Sequence, residues 1–159
     1  MGFPKQLDFQ QTLAVIGALG VIASFIHTAV QLRRNTRAVR AQSYLLVTGK
    51  FADIWYSLVA NPELCDLVIR GNDDFDALNR IEKARFRFAL MAYFRQSENA
   101  YFLHKINILR EQDWLAIPDD IDNIFGSPGP RTAWPLIKKR SSAEFQSYVQ
   151  PIVDRHVAS

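Results

Sequence analysis

Residues 13–32 read LAVIGALGVIASFIHTAVQL, and this stretch decides how the N-terminal part of the chain is organised. The wider run from residue 9 to residue 32 contains no Asp, Glu, Lys or Arg. A helix of roughly twenty residues rises about 30 Å, which matches the hydrocarbon core of a bilayer. The run therefore predicts a transmembrane helix over residues 11–32, preceded by a short extracytoplasmic leader at residues 1–10.

Four arginines follow the apolar run directly: Arg33, Arg34, Arg37 and Arg40. The leader carries a single lysine, which a nearby aspartate offsets. Because basic residues next to a membrane span stay on the cytoplasmic side, residues 33–159 are predicted to form a cytoplasmic domain. The expected location is the inner (cytoplasmic) membrane, crossed once, with the arginines beside the membrane lipid.

Two other interpretations of the apolar run exist. A cleaved signal peptide is disfavoured because the leader lacks a clearly positive start and no convincing cleavage site follows. A buried helix of a soluble fold is disfavoured because the run is long, lacks charges and meets arginines at one end only. The membrane span is therefore the preferred interpretation.

Composition excludes several classes of protein. At 159 residues the chain has the length of about one domain. Its content of 48% hydrophobic and 12% aromatic residues excludes a disordered chain. The net charge of +3 comes partly from the arginine cluster, so we expect no nucleic-acid partner. Cys65 is the single cysteine, which excludes an internal disulfide.

The periodicity of the remaining chain predicts an all-α protein. The transmembrane helix should continue into a long helix ending near Asn61, and a second long helix should cover residues 78–109. Between them we expect a helix over residues 62–70, capped by Asn61 and ended by Gly71, and then a loop in which Asp76 caps the second long helix.

Several short helices are expected to complete the C-terminal part and to pack on the two long ones. A helix near residues 111–117 should end at Pro118. Ser141 and Glu144 have the spacing of a capping box for the last helix, which Pro151 should break.

Small residues lie close to one face of the predicted membrane helix: Gly17, Gly20, Ser24 and Thr28. Such residues let two membrane helices approach closely. Small residues are also common in membrane helices in general. The face therefore indicates either packing against another helix or only the usual composition of a membrane span.

His27 is an ionisable residue inside the predicted span. One interpretation is a hydrogen bond near the membrane interface. The other is an axial ligand of a tetrapyrrole, because Ala23 leaves space one turn away for a flat macrocycle. This spacing resembles the pigment site of bacterial light-harvesting polypeptides, and it would make the protein a subunit of a photosynthetic pigment complex.

Arg95, Glu98 and Asn99 interrupt an otherwise apolar helical stripe in the segment FRQSENAYF. A buried charge needs a partner, and Arg95 can reach the other two from the same helix. The favoured interpretation is a polar cluster that fixes how the helices pack. The alternative is a cytoplasmic site for a small ligand, with Arg95 binding an anion.

No residue pattern indicates catalysis or a metal site. The chain has no phosphate-binding glycine loop, no nucleophile motif and no zinc motif, and His104 and His156 lack partners at metal-ligand spacing. We therefore expect no enzyme and no metal, and the cofactor is unknown.

Three segments carry a resemblance: AVQLRRNTRAVRAQSY at residues 29–44, RQSENAYF at 95–102, and SPGPRTAW with SSAEFQSYV at 127–134 and 141–149. Together they resemble a widespread group of uncharacterised bacterial single-pass membrane proteins. The resemblance implies an N-terminal anchor and a helical cytoplasmic domain, and it implies no activity. Where that group commonly has an aromatic residue, this chain has His27.

The predicted function is non-enzymatic. We expect a membrane-anchored helical protein that assembles with itself as a homo-oligomer or serves as an accessory or scaffold subunit beside partner membrane subunits. The pigment-complex subunit and the small-ligand domain are the two alternatives.

Overall fold

The structure is a computed structural model that describes residues 9–158, apart from the side chain of Gln10. The described chain is all α-helical, as predicted. In chain order the helices are α1 (Phe9–Ala60), α2 (Pro62–Asp73), α3 (Arg80–Lys105), α4 (Glu111–Trp114), α5 (Ala116–Gly126), α6 (Pro128–Ile137), a 3-10 turn (Lys138–Arg140) and α7 (Ala143–Ala158). The predicted leader falls almost entirely on residues outside the described part.

The chain divides into two compact units, with the boundary between Ala41 and Gln42. The described residues of the first unit belong to α1, and their side chains are almost all exposed. The apolar part of α1 is long enough to cross a membrane, and none of it is buried against other parts of the chain. An exposed apolar helix of this kind fits a single membrane span or an N-terminal signal.

In the second unit, the last part of α1 packs against α3. Val47 is buried, and its carbonyl oxygen accepts a hydrogen bond from Gln96 Nε2 at 3.4 Å. The rings of Phe51 and Tyr93 lie 5.5 Å apart. These contacts confirm the prediction that the two long helices pack together. Burial in this contact raises the pKa of the Tyr93 phenol, and the negative charge of Asp120 raises it further.

α2 begins as predicted and ends later than predicted. The Asn61 side chain accepts a hydrogen bond from the Leu64 backbone N–H at 3.0 Å, and Pro62 occupies the first turn. Gly71 was expected to end the helix, but α2 runs on to Asp73. The glycine is needed for packing, because a Cβ there would overlap the ring of Phe86.

α3 is shorter than the predicted 78–109 helix and has a different cap. Asn79, and not Asp76, accepts hydrogen bonds from the Ile81 and Glu82 backbone N–H groups. The Glu82 carboxylate accepts one from the Asn79 N–H at 2.9 Å, which completes a capping box. This bond, with a second from Arg70, lowers the pKa of Glu82.

The prolines of the C-terminal part end fewer helices than predicted. Pro118 lies in the first turn of α5, where a missing N–H costs nothing because that turn has no intrahelical acceptor. Pro151 lies inside α7, which continues to Ala158. The burial of Ile152 and Val153 directly after Pro151 holds that last part of α7 in the core.

The capping box predicted at the start of α7 is also wrong. Ser142, and not Ser141, caps the helix, and its Oγ accepts a hydrogen bond from the Phe145 N–H at 3.3 Å. Glu144 instead accepts hydrogen bonds from Tyr101 Oη and Lys105 Nζ on α3. These two bonds lower the pKa of Glu144, the bond from Lys105 having the larger effect.

The core of the second unit is rich in aromatic side chains. Phe94, Phe125 and Trp134 form one cluster, with ring centroids 5.1 to 5.4 Å apart. Tyr101 and Tyr148 belong to a second cluster, 4.9 Å apart. Each pair of rings stabilises the fold beyond the hydrophobic effect of the area that it buries. The two clusters therefore fix α3 against α5, α6 and α7.

α2 and α6 cross closely at Gly129. A Cβ added to Gly129 would overlap the carbonyl group of Gly71 on α2. A Cβ added to Gly71 would in turn overlap the ring of Phe86, so both positions require glycine.

We expect Gly129→Ala to lower the free energy of unfolding by about 1–3 kcal/mol, because the new methyl group forces α2 and α6 apart. Gly126→Ala is the matched control, since a Cβ there meets nothing within 4 Å. Thermal unfolding followed by circular dichroism in mild detergent measures both variants. Equal midpoints for the two variants would contradict the close crossing.

Candidate functional site

The predicted contact between Arg95 and Glu98 is present. Arg95 Nη1 donates a hydrogen bond to Glu98 Oε2 at 2.9 Å. The two side chains differ in exposure, since the glutamate is 3% exposed and the arginine 57%. The pair therefore lies at the boundary of the core, with the carboxylate inside and the guanidinium at the surface.

The two residues also hold the start of α7. Glu98 Oε1 accepts a hydrogen bond from the backbone N–H of Ser142 at 2.7 Å, and Arg95 Nη2 donates one to the carbonyl oxygen of Arg140. Both oxygens of the buried carboxylate thus have donors. The cluster fastens α3 to the turn that precedes α7, which agrees with the favoured interpretation of these residues as a packing device.

Asn99 belongs to a different surface. It is exposed and lines a groove beside Leu46, Val47 and Lys50 of α1. Since consecutive helical residues point about 100° apart, Asn99 faces away from Glu98. The structure therefore does not bring Asn99 into the predicted cluster.

A cavity of about 300 Å³ lies beside Arg95. Its lining comes from α3, α6 and the 3-10 turn, and comprises Phe88, Met91, Phe94, Arg95, Trp134, Ile137, Arg140 and Ser141. Sequence reasoning identified Arg95 alone among these residues. The participation of Arg140 and Ser142 through backbone groups has no signature in the sequence, because every residue type carries the same carbonyl oxygen and N–H.

The small-residue face predicted on α1 is present in the first unit. Gly17, Gly20, Ser24 and Thr28 lie along one side of the helix with Val21 and Phe25. Both hydroxyl groups are satisfied within the helix: Ser24 Oγ donates to the Gly20 carbonyl and Thr28 Oγ1 to the Ser24 carbonyl, each at 2.8 Å. The face therefore presents little polar surface despite its hydroxyl groups.

His27 has a partner in its own helix. Its Nε2 lies 2.8 Å from Gln31 Nε2, one turn further along α1. This contact agrees with the interpretation of a hydrogen-bonded side chain near the end of the apolar run. The tetrapyrrole hypothesis stays a prediction.

The four arginines after the apolar run are exposed on α1. None of Arg33, Arg34, Arg37 and Arg40 forms an ion pair with another described residue. Their charges are therefore available to an anionic surface.

Within residues 9–158, no group of three or more His, Cys, Asp or Glu side chains is arranged to hold a metal ion. His104 stacks on Trp114 with ring centroids 5.1 Å apart, and its Nε2 lies 3.4 Å from a carboxylate oxygen of Glu111. This histidine contributes to packing in the second aromatic cluster.

Comparison of the chain with protein-family models, with curated proteins and with solved structures finds no match.

We expect Glu98→Gln to lower the free energy of unfolding by about 1–3 kcal/mol, because one of the two donors that face the carboxylate loses its acceptor in the core. Asn99→Ala is the neighbouring control, and it should change stability by less than about 0.5 kcal/mol since its side chain is exposed. Urea unfolding followed by tryptophan fluorescence measures both. A Glu98→Gln variant as stable as the control would show that the buried bonds contribute nothing.

Proposed function

We propose that this protein is a non-enzymatic, single-pass membrane protein that assembles with a second copy of itself or with partner subunits of a larger membrane complex. The observation that carries the proposal is the exposure of the apolar part of α1. Its Leu, Ile, Val and Phe side chains between residues 13 and 32 are exposed, and none of this apolar stretch is buried. In water this surface would be costly, whereas lipid tails accept it without a penalty.

The charge pattern supports an orientation. The cluster Arg33, Arg34, Arg37 and Arg40 follows the span immediately, and its members are exposed. Each basic residue near an anionic leaflet contributes about 1 kcal/mol of attraction. Residues 33–159 are therefore placed on the cytoplasmic side in this proposal, with the arginines at the lipid headgroups.

Two exposed faces support assembly. The first is the small-residue face of the span, where a Cβ added to either glycine would meet no described atom within 4 Å. The second lies in the second unit, where Leu45, Tyr56 and Val59 are exposed on one side of α1. The opposite side of the same helix carries Val47 and Phe51, which pack on the core. Apolar surface on the outer side of a helix suits contact with another protein.

We expect the full chain to stay with the membrane fraction after an alkaline carbonate wash and to keep the apolar run of α1 when the intact mass is measured. Replacing Leu19 and Ile22 by Arg should move it to the soluble or aggregated fraction, because charges in the centre of a span cost several kcal/mol. A reporter fused after Ser159 should be active in the cytoplasm. A mature chain lacking the apolar run would identify a signal sequence instead.

We expect the protein to be an oligomer in mild detergent, and Gly20→Ile to weaken the assembly because a branched side chain keeps the helices apart. Ala29→Ile is the control, since it adds bulk on the other side of α1. Native mass measurement of both variants tests the face. A monomeric wild-type protein, or equal loss in the two variants, would exclude assembly through this face.

A further inference from the structure

The lining of the cavity beside Arg95 combines two kinds of residue. Its apolar part includes Met91, Trp134 and Ile137, of which Trp134 is almost fully buried. Its polar part consists of Arg95, Arg140 and Ser141. A volume of about 300 Å³ is at the lower limit of known ligand sites. A molecule that fills it must therefore be small, for example one ring or a short chain.

The polar part of the lining carries an excess of positive charge. Glu98 is the carboxylate next to it, and both of its oxygens already accept hydrogen bonds. Arg95 uses two of its N–H groups, one toward Glu98 and one toward the Arg140 carbonyl, and the others remain. The Arg140 guanidinium forms no ion pair with any residue of the described part. Two arginines thus line the cavity, beside a single carboxylate whose oxygens are both already hydrogen-bonded.

The apolar and polar parts of the lining together select a class of ligand. A bare anion would bind the arginines and leave the apolar walls in contact with water, which gives no hydrophobic gain. A neutral apolar molecule would cover the guanidinium groups and leave their N–H groups without acceptors, which is costly. An anionic head on a small apolar body avoids both costs.

We infer that this cavity binds an amphipathic anion, a carboxylate or phosphate monoester on a small apolar body. The head lies between Arg95 and Arg140, and the body packs against Met91, Trp134 and Ile137. Glu98 acts as a positioning residue, because it orients the Arg95 guanidinium without reaching the ligand. This inference is independent of the proposed membrane anchoring and assembly.

Trp134 provides a direct probe, because bromine quenches the fluorescence of a tryptophan that it contacts. The full chain in uncharged detergent, with Trp55 and Trp114 replaced by Phe, keeps Trp134 as its single tryptophan. Titration with 4-bromobenzoate should quench Trp134 to saturation. The neutral 4-bromobenzyl alcohol should bind at least about tenfold more weakly, since it forms no charge-assisted hydrogen bond. Equal quenching by both probes, or quenching without saturation, would overturn the inference.

A matched pair of charge variants tests the role of the arginines. Arg140→Gln removes a charge at the cavity and keeps the backbone carbonyl that binds Arg95. Lys139→Gln removes the same charge one residue earlier, at a position that does not line the cavity. We expect about tenfold weaker binding of 4-bromobenzoate to Arg140→Gln and unchanged binding to Lys139→Gln. The same loss in both variants would indicate a general charge effect and contradict the site. Calorimetric titration of the unaltered chain replaces fluorescence if the tryptophan variant fails to fold.

Competition identifies the source of the anionic head. Phosphatidic acid, whose head is a phosphate monoester, should displace 4-bromobenzoate in mixed micelles, and phosphatidylcholine should not, if the site takes an anionic lipid. Retained 4-bromobenzoate binding in both micelles would support a soluble anion of the same chemistry. Inorganic phosphate that competes as well as phenyl phosphate would contradict the inference, because the apolar body would then contribute nothing.

Discussion

The buried carboxylate of Glu98 constrains how α3 and the start of α7 are arranged in the second unit. A carboxylate that is 3% exposed is stable only when donors surround it. One donor is the Arg95 side chain on the same helix, and the other is the backbone N–H of Ser142, 44 positions along the chain. Ser142 caps α7, so its backbone N–H lies where that helix begins. The hydrogen bond from this N–H to Glu98 therefore fixes the start of α7 against the middle of α3.

This fixed point also sets the orientation of the residues around it. Arg95 is held at both ends of its guanidinium, by Glu98 and by the Arg140 carbonyl. The 3-10 turn that carries Arg140 follows α6 directly, so Trp134 and Ile137 lie on the same side of α3 as Arg95. The cavity is thus a consequence of the same bonds that hold the helices, and an arginine held in place loses less conformational entropy when it binds an anion.

The class of the fold follows from periodicity, and the details follow from contacts that one sequence cannot reveal. The stripe of apolar residues in α1 and α3 and the Asn61-Pro62 pair were sufficient to predict helices there. Local rules predict that Gly71 and Pro151 end helices. Tertiary packing overrides those rules: Gly71 makes room for the ring of Phe86 on α3, and the buried residues after Pro151 keep α7 in place. Arg95 and Glu98 were identifiable as charges on an apolar stripe, whereas their backbone partners were not.

Glycine has two different roles in this chain, and the contrast bears on the first unit. Gly71 and Gly129 are required by contacts within the chain, since a Cβ at either position overlaps a neighbouring group. Gly17 and Gly20 have no such neighbour, and a Cβ on either would meet open space. A glycine inside a helix costs about 1 kcal/mol relative to alanine. No contact in the described part of the chain offsets that cost on the exposed apolar face of α1. A second helix packed against that face would offset it, which is the physical argument for assembly through this surface.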